Sequence, residues 1–70
     1  MITFWVHWKD TEHPEISRFT TLACSEENAW EIYNQNKMIQ SRYDWEISQY
    51  NSITLTNKII FKEAIHQNGI

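Results

Sequence analysis

Three histidines, one cysteine and nine carboxylates are the side chains in this 70-residue sequence that could do chemistry, and their spacing limits what they can do. His7, His13 and His66 fall in a strand pattern, a loop pattern and the terminal segment. None has a second His, Cys or carboxylate at the spacing a zinc site shows. A nucleophilic Cys–His pair needs both side chains within hydrogen-bond reach. Pairing the first two strands as a hairpin sets Cys24 opposite Met1, about six residues along the ladder from His7, which at roughly 3.3 Å per residue is on the order of 20 Å. His13 then lies in the far loop, and the pattern does not place His66. Carboxylates cluster at Asp10, Glu12 and Glu15, at Glu26, Glu27 and Glu31, and at Asp44 with Glu46. Such groups serve as acid and base only where their surroundings separate their pKa values, and these stand mostly in water. The single glycine, Gly69, leaves no glycine-rich phosphate loop. The expectation is a protein that is not an enzyme and that holds no cofactor and no metal.

The elements that carry these residues are organised around Phe19–Tyr33, where a strand pattern hands over to a helix pattern at Ser25. Ser25 can cap the orphan amides of a helix whose first turn carries Glu26 and Glu27, where the helix dipole favours negative charge. Upstream, Ile2, Phe4, Val6 and Trp8 alternate with Thr3, Trp5, His7 and Lys9, which predicts a strand with one buried face. Asp10 to Ile16 reads as a solvated connection, and Ser17 to Cys24 as the second strand. Centring the hairpin on Glu12 and His13 pairs Ile2 with Ala23, Phe4 with Thr21 and Val6 with Phe19. The opposite face then pairs Thr3 with Leu22, Trp5 with Thr20 and His7 with Arg18. A slip of one residue would mix the two sets.

From Glu26 to Lys37, Ala29, Ile32, Tyr33 and Asn36 share one helical face, with Trp30 at its border. Trp30 reads as a cover for the edge of the sheet or as an exposed binding anchor. Met38 to Arg42 would be a return loop, with Met38 and Ile39 closing the end of the core. Tyr43 to Tyr50 alternates again, placing Tyr43, Trp45 and Ile47 opposite Asp44, Glu46, Ser48 and Tyr50. Asn51 and Ser52 form a turn, and Ile53 to Leu55 a short fourth strand. The tail has two readings. In one it is a helix capped by Thr56, with a stripe of Ile60, Phe61, Ala64 and Ile65 and a stop at Asn68 and Gly69. In the other, Ile59, Ile60 and Phe61 form a strand after a turn at Asn57 and Lys58. The helical reading is preferred because Lys62 to Gln67 is good helix material. The predicted class is α+β: a three- or four-stranded antiparallel sheet, one helix packed across it and a second helix at the C-terminus, in the order ββαβ(β)α, all as one domain over residues 1–70.

Four tryptophans, three tyrosines and three phenylalanines predict an aromatic core, which offsets the small size of the chain. Cys24 alone can form no internal bridge and reads as a small buried residue of a reducing compartment. The sequence opens without a secretory pattern, and no apolar run approaches the roughly 20 residues of a membrane span, so a soluble cytoplasmic protein is expected. The net charge of −3 works against direct nucleic-acid binding, although Trp5, His7, Lys9, Arg18 and Tyr50 could share an aromatic sheet face with cations nearby.

Tryptophan, tyrosine and arginine are the commonest interface anchors, and a chain this short has little interior to hide four indoles. Trp5, Leu22 and Tyr50 form the candidate patch, ringed by Arg18, Asp44 and Glu46, with His7 beside them and Trp30 as a separate anchor. A second helix or a symmetry mate covering that face is the competing reading. The run RFTTLACSEENAWEIY, residues 18–33, joins a strand ending in Ala23, a Ser cap and an acidic amphipathic helix carrying Ala29. In layout it resembles small phage-encoded proteins, among them anti-CRISPR inhibitors. The resemblance covers about the first half of the chain and includes no diagnostic motif. It implies a non-catalytic protein that binds and blocks host machinery. If Glu26, Glu27 and Glu31 make the contact instead of the rings, the protein partner would be a nucleic-acid-handling host complex. A nucleic-acid-binding domain and a self-associating module, expected as a homodimer, are the other readings.

Overall fold

Alternation along the strands and the cap at Ser25 set the architecture. In the computed structural model, residues 1–37 and 43–64 are described. They form β1 (Ile2–Asp10), β2 (Arg18–Ala23), α1 (Glu26–Asn36), β3 (Tyr43–Asn51) and β4 (Thr56–Glu63). The four strands make one sheet in the order β2-β1-β3-β4, with every neighbouring pair antiparallel. Because β2 and β3 both oppose β1, they run in the same direction with β1 between them. The connection through α1 therefore crosses β1 and lays the helix on one face. The molecule is a small α+β domain with one helix among the described residues.

The helix begins where the sequence predicts. Ser25 is extended, and its Oγ accepts the Asn28 amide at 3.0 Å, while Asn28 Oδ1 accepts the Cys24 amide at 3.1 Å. Two backbone donors at the N-terminus are thereby satisfied, one in each direction. Ala29 and Tyr33 then pack on Val6, Ala23, Trp45 and Ile47, all buried. Full burial of a side chain such as Ile47 is worth about 2–3 kcal/mol. The rings supply most of the remaining apolar contact: Trp8 stacks between Trp45, at 4.9 Å, and Phe19, at 5.5 Å. Tyr33 meets Trp45 and Phe61 edge-on at 5.4 and 5.0 Å. The expectation of an aromatic core holds. Among the described residues, Trp8 Nε1–H is buried with no acceptor.

The hairpin keeps its predicted faces but not its predicted pairs. Phe4, not Ile2, lies opposite Ala23, Trp5 opposite Leu22, His7 opposite Thr20 and Lys9 opposite Arg18. The turn explains the shift. His13 O accepts the amides of Ile16 and Ser17, so Pro14, with its fixed φ, follows the first turn residue, and the bend closes further along the chain than a centre at Glu12 and His13. Asp10 extends β1 by donating its N–H to Ser17 O at 2.9 Å, and its buried carboxylate accepts the Glu12 amide at 2.8 Å. The displacement is two residues, an even number, so each side chain stays on its predicted face.

The second correction is the tail. Residues 56–63 are a strand, and the preferred C-terminal helix is not found; its expected end at Asn68 and Gly69, like the return loop at Met38 to Arg42, lies outside the described residues. Pairing outweighs local propensity here, because β3 carries the buried Trp45 and Ile47 and needs a partner on its second edge. A register break resolves the three consecutive apolar residues. Phe61 pairs with Ile47 and Ile59 with Ser48, which makes Ile60 the extra residue of a bulge. Ile60 and Phe61 thus both pack on the core while Ile59 turns outward. Ile53 to Leu55, expected as a strand, belongs to the β3–β4 turn. Asn51 Oδ1 accepts the amides of Ile53 and Thr54, and Leu55 sits at φ 58°, in the left-handed region.

Helix and sheet are tied at the far edge by one polar contact. The Tyr33 hydroxyl donates to Glu63 Oε1 at 2.6 Å, and Lys37 Nζ lies 5.0 Å from the Tyr33 ring centre. Burial, reinforced by the hydrogen bond to Glu63, raises the Tyr33 pKa above its ordinary 10.0. Contact with Tyr33 raises that of Lys37.

Candidate functional site

The helix covers one side of the sheet, and the residues that alternate away from it form the open side. Register places them row by row. Leu22, Trp5, Ser48 and Ile59 are successive cross-strand neighbours; so are Thr20, His7, Glu46 and Lys62, and then Arg18, Lys9 and Asp44. Tyr50 lies between Thr3 and Asn57. Trp5, His7, Arg18, Leu22, Asp44, Glu46 and Tyr50 are therefore on a single face, as their alternation predicts. Leu22 and Ile59 are more than half exposed, at 56% and 52%. Trp5, His7 and Tyr50 are half-buried against their neighbours.

His7 is the pivot of this face. Its Nδ1 lies 3.0 Å from Thr20 Oγ1 and its Nε2 3.2 Å from Ser48 Oγ, so both ring nitrogens are engaged and the imidazole is held between side chains of β2 and β3. Expected beside Arg18, it is instead two residues along β2, because of the hairpin shift. Ser48 is only 3% exposed even though it points to the open side. A serine within reach of an imidazole suggests nucleophilic chemistry, but the surroundings do not supply it. The second imidazole nitrogen meets a hydroxyl in place of a carboxylate, and the Ser48 backbone is paired on both sides, with Trp5 and with Ile59. What the contact does is fix the ring.

The charges are at one end. Lys9 lies across from Asp44 and Lys62 across from Glu46, with Arg18 on the edge strand beside Lys9. A hollow of about 240 Å³ is lined by these five and His7, among others. A broader, shallower hollow of about 430 Å³ is lined by Trp5, His7, Thr20, Ser48, Tyr50 and Asn57, with no carboxylate, lysine or arginine. His7 and Thr20 line both, so the two hollows adjoin.

The remaining candidates are elsewhere. Glu26, Glu27 and Glu31 are exposed on α1, with Glu31 Oε1 accepting a hydrogen bond from Asn28 Nδ2 at 3.3 Å. Trp30 lies over the sheet edge, 4.8 Å from the Phe61 ring and 5.9 Å from Tyr33. Cys24, expected to be buried, is exposed just beyond β2. His7 pairs with Thr20, four residues up that strand, which at roughly 3.3 Å per residue keeps the thiol and the imidazole about 13 Å apart. No group of three or more His, Cys, Asp or Glu side chains that could hold a metal ion exists among the described residues. No helix of the described residues is long and apolar enough to cross a membrane.

Thr20 and Ser48 are the members that sequence reasoning passed over. Alternation assigns both to the open face, but only the order β2-β1-β3 brings them to opposite sides of His7, and order is not written in periodicity. Comparison with protein-family models, with curated proteins and with solved structures finds no match to this chain.

Proposed function

We propose that this chain is a small non-enzymatic protein-binding module that acts by occluding a host protein or complex, as inhibitors carried by phages or mobile elements do. The observation that carries the reading is the sheet face that no helix among the described residues covers: α1 lies on one side, and the other presents Trp5, Leu22, Tyr50 and Ile59 with charged residues at one end. Aromatic anchors within a polar rim are the usual composition of a binding surface. The layout of residues 18–33 supports the inhibitor assignment, and a cytoplasmic site of action goes with it. The test is capture from the native host. The tagged chain should retain a defined protein, Leu22→Asp should release it, and charge reversal at Glu26, Glu27 and Glu31 should leave it bound. Loss on the helix substitutions with Leu22→Asp silent would move the contact to α1 and sink the proposal for the sheet face.

A further inference from the structure

The sheet has two outer edges, and they are built differently. β4 carries Lys58, Lys62 and a bulge at Ile60, devices that keep an edge strand from pairing with another chain. β2 has none of them: RFTTLA is free of lysine, proline and glycine, pairs with β1 without a register break, and bears its single charge, Arg18, at one end. We infer that β2 is the seam of a homodimer, pairing antiparallel with β2 of a second copy about a two-fold axis that is normal to the sheet and passes at Thr20. The inference concerns the chain alone and does not rest on a host partner.

The backbone shows what the edge lacks. Asp10 N–H bonds Ser17 O at 2.9 Å, so Ser17 turns its main-chain groups toward β1, and in an antiparallel ladder Phe19, Thr21 and Ala23 do the same. The N–H and C=O of Arg18, Thr20 and Leu22 therefore face outward, where no strand among the described residues lies. Only another extended backbone offers donors and acceptors at that spacing. Side chains on both sides of the sheet point the same way. Phe19, on the helix side, is 43% exposed, and Leu22, on the open side, is 56% exposed. A ligand lying on one face would cover one of them, whereas a strand added alongside β2 touches both. A second copy fits the row. With the axis normal to the sheet, paired residues must share a face, and outward main-chain groups must meet outward ones. An axis at Thr20 meets both conditions: Thr20 bonds its own counterpart, Arg18 bonds Leu22 of the copy, and Phe19 lies opposite Thr21. An axis at Thr21 would set Cys24 against Arg18 and call on the Cys24 amide, which Asn28 Oδ1 already accepts. Charge agrees. The two Arg18 residues come to stand four positions apart, about 13 Å at roughly 3.3 Å per residue, each beside an apolar neighbour. A seam on β4 centred at Ile60 would instead oppose Lys58 and Lys62.

The test is sedimentation equilibrium of the full chain from about 10 μM to about 1 mM, with amide hydrogen exchange read by NMR at both ends of that range. A strand of 6 residues joins less than the roughly 1,200 Å² of a standard interface, so a monomer–dimer equilibrium with a dissociation constant on the order of 10⁻⁴ M is expected. The amides of Arg18, Thr20 and Leu22 should gain protection as concentration rises, while those of Phe19 and Thr21 are protected throughout and those of β4 do not change. Thr20→Lys and Thr20→Asp each set like charges across the axis and should weaken the dimer about fivefold or more, and an equimolar mixture of the two should restore it. Should either variant fail to fold, Leu22→Lys, opposed to Arg18 of the copy, should weaken it in the same way. A chain that is monomeric at about 1 mM overturns the inference. So does a dimer in which the amides of Arg18, Thr20 and Leu22 still exchange freely, or one that the Thr20 variants form as readily as the parent. If the chain alone stays monomeric and these amides gain protection only with the host protein bound, the edge takes a foreign strand and the homodimer is refuted.

Discussion

Tyr33→Phe removes one oxygen and tests whether β4 is docked under the helix as described. The ring contacts survive the change: Trp45 at 5.4 Å, Phe61 at 5.0 Å and Trp30 at 5.9 Å all involve the six-membered ring. What is lost is a 2.6 Å hydrogen bond from a buried hydroxyl to the Glu63 carboxylate. Bonds to charged groups contribute about 1.5–3 kcal/mol, but Glu63 is partly exposed and can rehydrate, which brings the expected cost to about 1–2 kcal/mol. In a domain of this length each kcal/mol moves the Tm by roughly 4–8 °C, so a fall on the order of 5–10 °C should appear in thermal unfolding. Glu63→Gln alone and in combination completes a double-mutant cycle, and a coupling energy of about 1 kcal/mol is expected because the two groups touch. A Tyr33→Phe protein within about 0.3 kcal/mol of the parent, or a coupling of zero, would refute the contact. With it would go the argument that strand pairing outweighs helix propensity in residues 56–63.

Three further outcomes follow from single features. Leu55 holds a φ of 58° with its side chain 74% exposed, so Leu55→Gly should relieve backbone strain at little cost in burial. A net gain of about 0.5 kcal/mol in urea unfolding is expected after the added freedom of the unfolded glycine, and a loss of that size would refute it. Ser25→Ala removes the acceptor of the Asn28 amide and should cost about 1 kcal/mol, with a fall in helical circular dichroism; an unchanged midpoint would show that the cap is idle. The third concerns alkali. Tyr33 and Lys37 both have folded pKa values raised above their ordinary 10.0 and 10.5, so each favours its protonated form in the folded state. Their contribution is complete below pH 10 and is lost as pH rises through the raised values. Stability should therefore be level across neutral pH in this respect and fall above pH 10, with the Tyr33 phenol ionising late at 295 nm. A late 295 nm phase that is unchanged in amplitude in the Tyr33→Phe variant would contradict the assignment.

Much of the fold can be read from the sequence because its signals are local. The alternation of β1 and of Tyr43 to Tyr50, the cap at Ser25 and the helical face of Ala29 and Tyr33 each depend on residues within a few positions of one another. The hairpin pairs were displaced because the turn at His13 and Pro14 depends on which carbonyl closes it, while the faces survived because an even shift preserves them. The tail failed for a different reason. Ile59, Ile60 and Phe61 suit a strand only if a bulge sends two of them inward, and a bulge is a property of the partner strand as much as of the tail itself. The members of the open face were legible from alternation; the clamp of His7 by Thr20 and Ser48 was not, since it needs the order in which the strands lie.

The same order separates what folds the molecule from what it displays. Val6, Ala23, Ala29, Tyr33, Trp45 and Ile47 pack on the helix side and form the buried core. Trp5, Leu22, Tyr50 and Ile59 are set on the other side, where no helix among the described residues reaches them. A solvated sheet face is normally lined by polar residues, and burying an indole and an isoleucine there would contribute to stability only with something lying over them. Each of these four side chains leaves apolar area in water that a polar residue would not; Trp5, Leu22 and Tyr50 keep the alternation of their strands, and Ile59 reaches the same side through the bulge at Ile60. Pattern and position together place this aromatic area on the side of the sheet away from α1, next to an imidazole held by Thr20 and Ser48. The order in which the strands lie, more than any single residue, is what makes that surface continuous.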